Sequence, residues 1–195
     1  VLKNGNTTQR YSIMILAIMF KEAIKEEIIP EYMYPFNKLT LKKDASKRQF
    51  LKKEQFEAII DYKLQENSKA CIYRDMFIFS IFAGGLRYSD VLEIQLKHFN
   101  EEERRIKKVI RKTGRVHQFK IGQVALDIIL KYKRENAEPD DFIFPIVTNA
   151  ELFLNNEEYR YAFSESTNKA ANFQIQKKKK KLEIPVKISF HISRH

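Results

Sequence analysis

The sequence predicts a mainly α fold with one small antiparallel β-sheet, an α+β arrangement with the sheet at an edge. Three observations carry this. Apolar residues recur at helical spacing through most of the 195 residues. One stretch, 104–121, breaks that period and reads as two short strands around Thr113-Gly114. With 5 Gly and 5 Pro, the chain has little of the composition of a linker-rich or disordered protein.

The elements follow in order. Asn6 or Thr7 can cap a helix to about Ile28, whose apolar positions include Ile13, Leu16, Phe20, Ala23 and Ile24. Pro30 and Pro35 end it and begin an extended segment through Leu39. Residues 41–50 are polar and lack periodicity, as an interdomain linker would, although an ordinary helix connection has the same composition. Three helices are expected over about 52–65, 69–83 and 87–96, with Gly84-Gly85 breaking the last two apart. After the hairpin comes a helix over about 123–134 and a short buried extended piece, Phe142-Ile143-Phe144-Pro145. A helix over about 164–182 ends in five lysines, and Ser189 can cap a terminal helix that has barely begun. The chain does not start with Met, and both ends read as cuts through a longer protein. No internal repeat is visible.

Composition narrows the function classes. Lys and Arg total 36 against 25 Asp and Glu, a formal charge of +11, so a polyanion is the first partner to consider. The single cysteine, Cys71, excludes a disulfide framework within the chain and sits in an apolar helical run as a small core residue would. Four His and one Cys form no zinc-ligand spacing. No signal peptide or membrane span is apparent, so the default expectation is the cytoplasm, or wherever chromosomal DNA lies.

Four patterns could carry chemistry. Eight Lys or Arg and no acid fall between Arg104 and Lys120, enough to hold a hairpin against a phosphate backbone, or to protect a solvated sheet edge from aggregation. Arg87 begins a helix after a glycine turn, with Asp90 three residues on and on the same face. A carboxylate so placed pre-orients the arginine to clamp a phosphate, though surface pairs at this spacing are common. His191 and Arg194 share one helical face at H-x-x-R spacing, a proton carrier beside an oxyanion stabiliser, and a spacing that also arises by chance. The Lys177–Lys181 run fits a solvated helix face, a DNA-backbone contact or a localisation signal.

Taken in order, these pieces resemble the tyrosine recombinase, or phage integrase, family. That family carries an A-G-L-R-x-S-[DE] turn, a K-T-G hairpin and an H-x-x-R-H box. Here they stand as Ala83-Gly84-Gly85-Leu86-Arg87-Tyr88-Ser89-Asp90, Lys112-Thr113-Gly114 and His191-Ile192-Ser193-Arg194-His195. The first departs slightly, with a second glycine ahead of Leu-Arg. Ile192 and Ser193 replace the commoner pair inside the box.

The resemblance implies a tyrosine-recombinase catalytic core preceded by the end of a helical core-binding domain. Residues 1–40 would be the C-terminal part of that DNA-binding domain, 41–50 the linker, and 51–195 a catalytic domain incomplete at its C-terminus. The implied activity is site-specific DNA recombination and integration through a 3′-phosphotyrosyl intermediate, with no metal and no cofactor. Arg87 and Arg194 would stabilise the non-bridging phosphate oxygens, and Lys112 would protonate the leaving 5′-oxygen. His191 would act as base or hydrogen-bond the phosphate, and Asp90 would orient the site from behind. Arg111, Arg115, Lys108 and Lys120 would hold double-stranded DNA. The whole protein would form a tetramer on recombining DNA, while the fragment could be monomeric. The family's nucleophile lies beyond the box and none of the nine tyrosines does, so the 195 residues are expected to bind DNA without cleaving it. Two other readings are a non-catalytic duplex-DNA-binding module and a basic RNA-associated protein. The latter predicts no clustering of Arg87, Lys112, His191 and Arg194.

Overall fold

The computed structural model describes residues 6–39, 50–186 and 188–194. The chain forms two compact units, Val1–Arg48 and Gln49–His195. The expected linker, 41–50, lies outside the described residues except for Phe50.

Among its described residues the first unit has one α-helix, α1 (Asn6–Lys25), and a short return. The expected extended segment through Leu39 is instead a 3-10 turn, Glu31–Met33, followed by further turns. Its cause is an aromatic cluster. Phe36 meets Phe20 and Tyr34 edge-on, each at 5.5 Å, and folds the segment back on the helix. The fixed φ of Pro30 suits entry to a turn as well as a strand.

The second unit is built around α3 (Lys69–Phe82), whose apolar residues point in all directions because it is enclosed on all sides. Met76, Phe77 and Phe79 are fully buried. The unit also contains α2 (Lys53–Asp61), α4 (Tyr88–Leu92), α5 (Gln123–Tyr132), α6 (Ala150–Asn155) and α7 (Glu157–Lys181). Strands β1 (Phe99–Asn100), β2 (Arg105–Ile110) and β3 (Arg115–Lys120) pair antiparallel in the order β1-β2-β3. The structure is thus mainly helical with one three-stranded antiparallel sheet, as the sequence predicts. Asp75 pins α3 to α5: Lys131 Nζ and Tyr132 Oη reach its carboxylate at 2.7 and 2.8 Å, and Arg74 at 2.8 Å. Burial alone would raise the Asp75 carboxyl pKa, but these partners outweigh it and hold the group below its usual range. Cys71 is buried in the same helix, as a core residue.

Several helices differ from expectation; the one expected over about 52–65 ends at Asp61, and the one expected to reach about Ile28 ends at Lys25. The expected 87–96 helix stops at Leu92, because Gln95 leaves it to bridge Phe142 and Ile143 N–H donates to the Ile94 carbonyl. The expected 164–182 helix begins earlier, at Glu157, with the Asn156 side chain accepting from Tyr159 N–H at 2.8 Å. Just before it lies α6, absent from the sequence reading and capped by Asn149. The terminal segment is a 3-10 turn, Phe190–Arg194, rather than the start of an α-helix.

A candidate phosphate cleft between the glycine turn, the hairpin and the terminal 3-10 turn

Helix α3 ends in a turn that only glycine makes without strain. Gly84 and Gly85 both have positive φ, 72° and 71°, and Gly85 N–H donates back to the Ser80 carbonyl at 2.8 Å. The reversal delivers Leu86 to the core and Arg87 to the mouth of α4. Asp90, buried, accepts the Arg87 backbone N–H at 3.3 Å, and its carboxylate lies 3.8 Å from the guanidinium. Burial raises the Asp90 carboxyl pKa, opposed by the Arg87 N–H and by the charges of Arg87 and Lys108.

The hairpin turn spans four residues, Arg111-Lys112-Thr113-Gly114. Thr113 and Gly114 N–H groups both return to the Ile110 carbonyl, and Gly114 closes the loop at φ 65°. Lys112 therefore stands exposed at the tip. His191 is exposed on the terminal turn, which is anchored by its neighbour. Phe190 packs edge-on against Tyr88 at 5.0 Å and Phe77 at 5.9 Å, and its N–H donates to Asn172 of α7 at 2.7 Å.

Arg87, Asp90, Lys112 and His191 line one open cleft of about 760 Å³, with Arg111 at its edge. Arg194 lies in the same 3-10 turn as His191; its side chain is outside the described residues. Helix α7 forms a wall that sequence reasoning missed. Arg160, Ser164, Asn168 and Asn172 line the cleft at steps of four residues, with Tyr161 beside them. The missed signal was Asn156-Glu157-Glu158, a capping residue followed by first-turn acids.

The cleft is less basic than the motifs imply, since Glu93, Glu157 and Glu165 also line it. Glu93 explains one correction. Lys108 was expected on DNA, but it is buried, its ammonium 3.4 Å from the Glu93 carboxylate. Strand alternation is the reason: Ile106, Lys108 and Ile110 share the inward face of β2, so Lys108 must find a partner inside. Arg111 donates to the same carboxylate at 3.1 Å and remains half exposed. Arg115 and Lys120 are exposed on β3 and are not among the residues lining the cleft.

Two tyrosines line the cleft, and they differ. Tyr88 is buried; its hydroxyl has no partner in hydrogen-bond geometry among the described residues, with Thr167 as a polar neighbour, and burial pushes its pKa up. Tyr161 is exposed.

Among the described residues no helix is long and apolar enough to cross a membrane. Comparison with curated proteins gave no match. Among solved structures, the Tn1549 transposon integrase (residues 82–397), in complex with circular intermediate DNA, resembles this chain with a TM-score of 0.65 and 18% sequence identity. The match covers 99% of this chain and 65% of that one, a likeness of fold. The phage integrase family model matches residues 49–195, three quarters of the sequence and all of the unit that carries the cleft, and the chain belongs to that family.

Proposed function

We propose that this chain is the DNA-binding and strand-exchange core of a tyrosine-type site-specific recombinase. The observation that carries the reading is the gathering of Arg87, Lys112 and His191 into one cleft from three stretches far apart in sequence, within a chain of the phage integrase family. A basic RNA-associated protein gives no reason for that gathering.

In this reading a duplex phosphate enters the cleft. Arg87, braced by Asp90, and Arg194 carry the charge that develops on its non-bridging oxygens. A tyrosine oxygen attacks phosphorus and the bond to the 5′-oxygen breaks. Lys112 gives a proton to that 5′-oxygen, and His191 accepts the tyrosine's proton or hydrogen-bonds the phosphate. The 5′-hydroxyl of a second strand later reverses the attack. In this reading the nucleophile is a tyrosine placed after the H-x-x-R box, as in the family pattern, and none of the nine tyrosines here follows that box. Tyr88 is ill suited to attack because it is buried with a raised pKa. Four copies would act together on recombining DNA, in the compartment that holds that DNA.

A nicked suicide substrate tests this. An extended form of the protein that carries a tyrosine after the H-x-x-R box should trap a denaturation-resistant adduct, and residues 1–195 should not. In the extended protein, Arg87→Ala should lower adduct formation by about 10²–10³ while most DNA binding persists, because the arginine acts chiefly on the transition state. An adduct on residues 1–195 would overturn the assignment of the nucleophile. Tyr161 would then be the first residue to change, ahead of Tyr88, because it is the exposed tyrosine of the cleft.

A further inference from the structure

The two stretches that bring Arg87 and His191 to the cleft meet through a pair of buried hydroxyls. Ser80 sits in α3, fully buried, and its Oγ donates to the Leu86 carbonyl at 2.6 Å. Ser193 sits in the terminal turn, also buried, and its Oγ lies 2.7 Å from that of Ser80. Ser193 Oγ is in turn 2.7 Å from the Phe190 carbonyl. The Leu86 carbonyl belongs to the peptide bond that enters Arg87, and the Phe190 carbonyl to the one that enters His191. One line of contacts, Leu86 C=O, Ser80, Ser193, Phe190 C=O, therefore fixes the planes of both peptides. We propose that Ser80 and Ser193 are positioning residues that hold Arg87 and His191 in register across the cleft. The inference rests on the strand-exchange reading.

Local preference does not account for these serines. A serine inside a helix commonly bonds the carbonyl four residues back. Ser80 instead reaches outward, to a residue six ahead and another 113 ahead. Its helix is otherwise apolar at that level, with Phe77 and Phe79 fully buried beside it. A hydroxyl there has a desolvation cost unless it is bonded, and alanine is the better helix former. Ser80 also accepts the Gly85 N–H with its backbone carbonyl, so both its side chain and its main chain grip the turn before Arg87. Two hydroxyl protons serve three short contacts, so Ser193 divides its proton between the Ser80 oxygen and the Phe190 carbonyl. Such a chain is sensitive to the loss of either member.

The test is NMR of residues 1–195 without DNA, reading the Arg87 side-chain Nε–H and the His191 ring protons. Ser80→Ala should shift or broaden the His191 signals, and Ser193→Ala should do so to Arg87, each across the Oγ–Oγ contact. If Ser80→Ala fails to fold, Ser193→Ala, near the end of the chain, carries the test alone. Changes confined to the mutated residue's own segment would overturn the proposal, since a serine that merely stabilises the core lowers Tm without moving the far partner. A second arm reads adduct formation on the nicked substrate in the protein extended past the H-x-x-R box. The losses of Arg87→Ala and Ser193→Ala should couple by about fivefold rather than multiply independently. Independent effects count against the pair, whereas full adduct formation by Arg87→Ala alone overturns the strand-exchange reading itself.

Discussion

Glu93→Gln should be among the most destabilising substitutions near the cleft. The Lys108 side chain is 7% exposed and that of Glu93 10%, and their charged atoms lie 3.4 Å apart. At that distance the attraction is about 5 kcal/mol for an effective dielectric near 20, roughly balanced by the cost of taking both ions from water. Removing only the negative charge keeps the cost for Lys108 and forfeits the attraction. Breaking such a pair costs about 3–5 kcal/mol; the glutamine carbonyl still accepts one hydrogen bond, so about 3 kcal/mol is expected. That corresponds to a fall in Tm of roughly 10 °C for a chain of this size.

The two partners should not be equivalent. Glu93 is shared by two cations, Lys108 and Arg111, whereas among the described residues Glu93 is the carboxylate within ion-pair distance of Lys108. Lys108→Met places an apolar chain of similar length on the inward face of β2 and leaves Glu93 bonded to Arg111. It should cost about 1 kcal/mol or less. The double variant should recover much of the single Glu93→Gln loss. Urea unfolding of the four proteins, followed by circular dichroism with unchanged m-values, reads this directly. A Glu93→Gln loss below about 1 kcal/mol, or a Lys108→Met loss as large as that of Glu93→Gln, would refute the account of Lys108 as an internal counter-ion.

Stability should fall as pH drops from 6.5 to 4 on account of His98. Burial first, then the charges of Lys108 and Lys97, push its pKa down to about 4, so the unfolded chain binds the extra proton in that window; His98→Gln should flatten the dependence in pH-resolved denaturation. Below about pH 4 the lowered carboxyl of Asp75 takes over, because its stabilising charge is present above the usual carboxylate pKa and is lost as acid titrates the folded state. Asp75→Asn should remove that lower step and cost about 3 kcal/mol at neutral pH, since Lys131 and Arg74 lose their anion.

Much of the site was legible because its signals are local. A glycine pair before Leu-Arg forces a turn, a carboxylate three residues on faces the arginine, and Lys-Thr-Gly closes a hairpin. Each is a short-range rule, and each holds in the structure. The misses share the opposite property. Lys108 looked like a phosphate contact because charge was counted along the strand without its alternation. Reading Ile106, Lys108 and Ile110 as one face would have placed it inside. The walls of the cleft on α7 were missed because polar residues at steps of four give no apolar period. The Ser80–Ser193 contact joins residues 113 apart, and no local pattern announces it. Ile192 and Ser193 replace the commoner pair within the box, and it is Ser193 whose hydroxyl reaches Ser80 of α3.

The register of the hairpin sorts its cations into two groups with different expected effects on DNA binding. Lys107 pairs with Gln118 and Arg105 with Lys120, so Lys107 and Lys120 share one face of the sheet. Lys108 pairs with His117 and Ile110 with Arg115, so Arg115 lies on the other face, the one that meets Glu93. That second face adjoins the cleft, and Lys112 reaches the cleft from the tip. If a duplex phosphate occupies the cleft, Lys112 and Arg115, at the tip and on the face next to it, are placed to meet the flanking backbone, while Lys107 and Lys120 lie on the opposite face. Lys112→Ala with Arg115→Ala should therefore weaken duplex binding and reduce the slope of log K against log salt by about 2, one for each lost phosphate contact. Lys107→Ala with Lys120→Ala removes the same charge and should leave that slope nearly unchanged. Fluorescence anisotropy with one duplex across a salt series measures both. Equal slopes for the two double variants would mean that DNA responds to net charge alone, and the cleft would then have no claim to be where the phosphate sits.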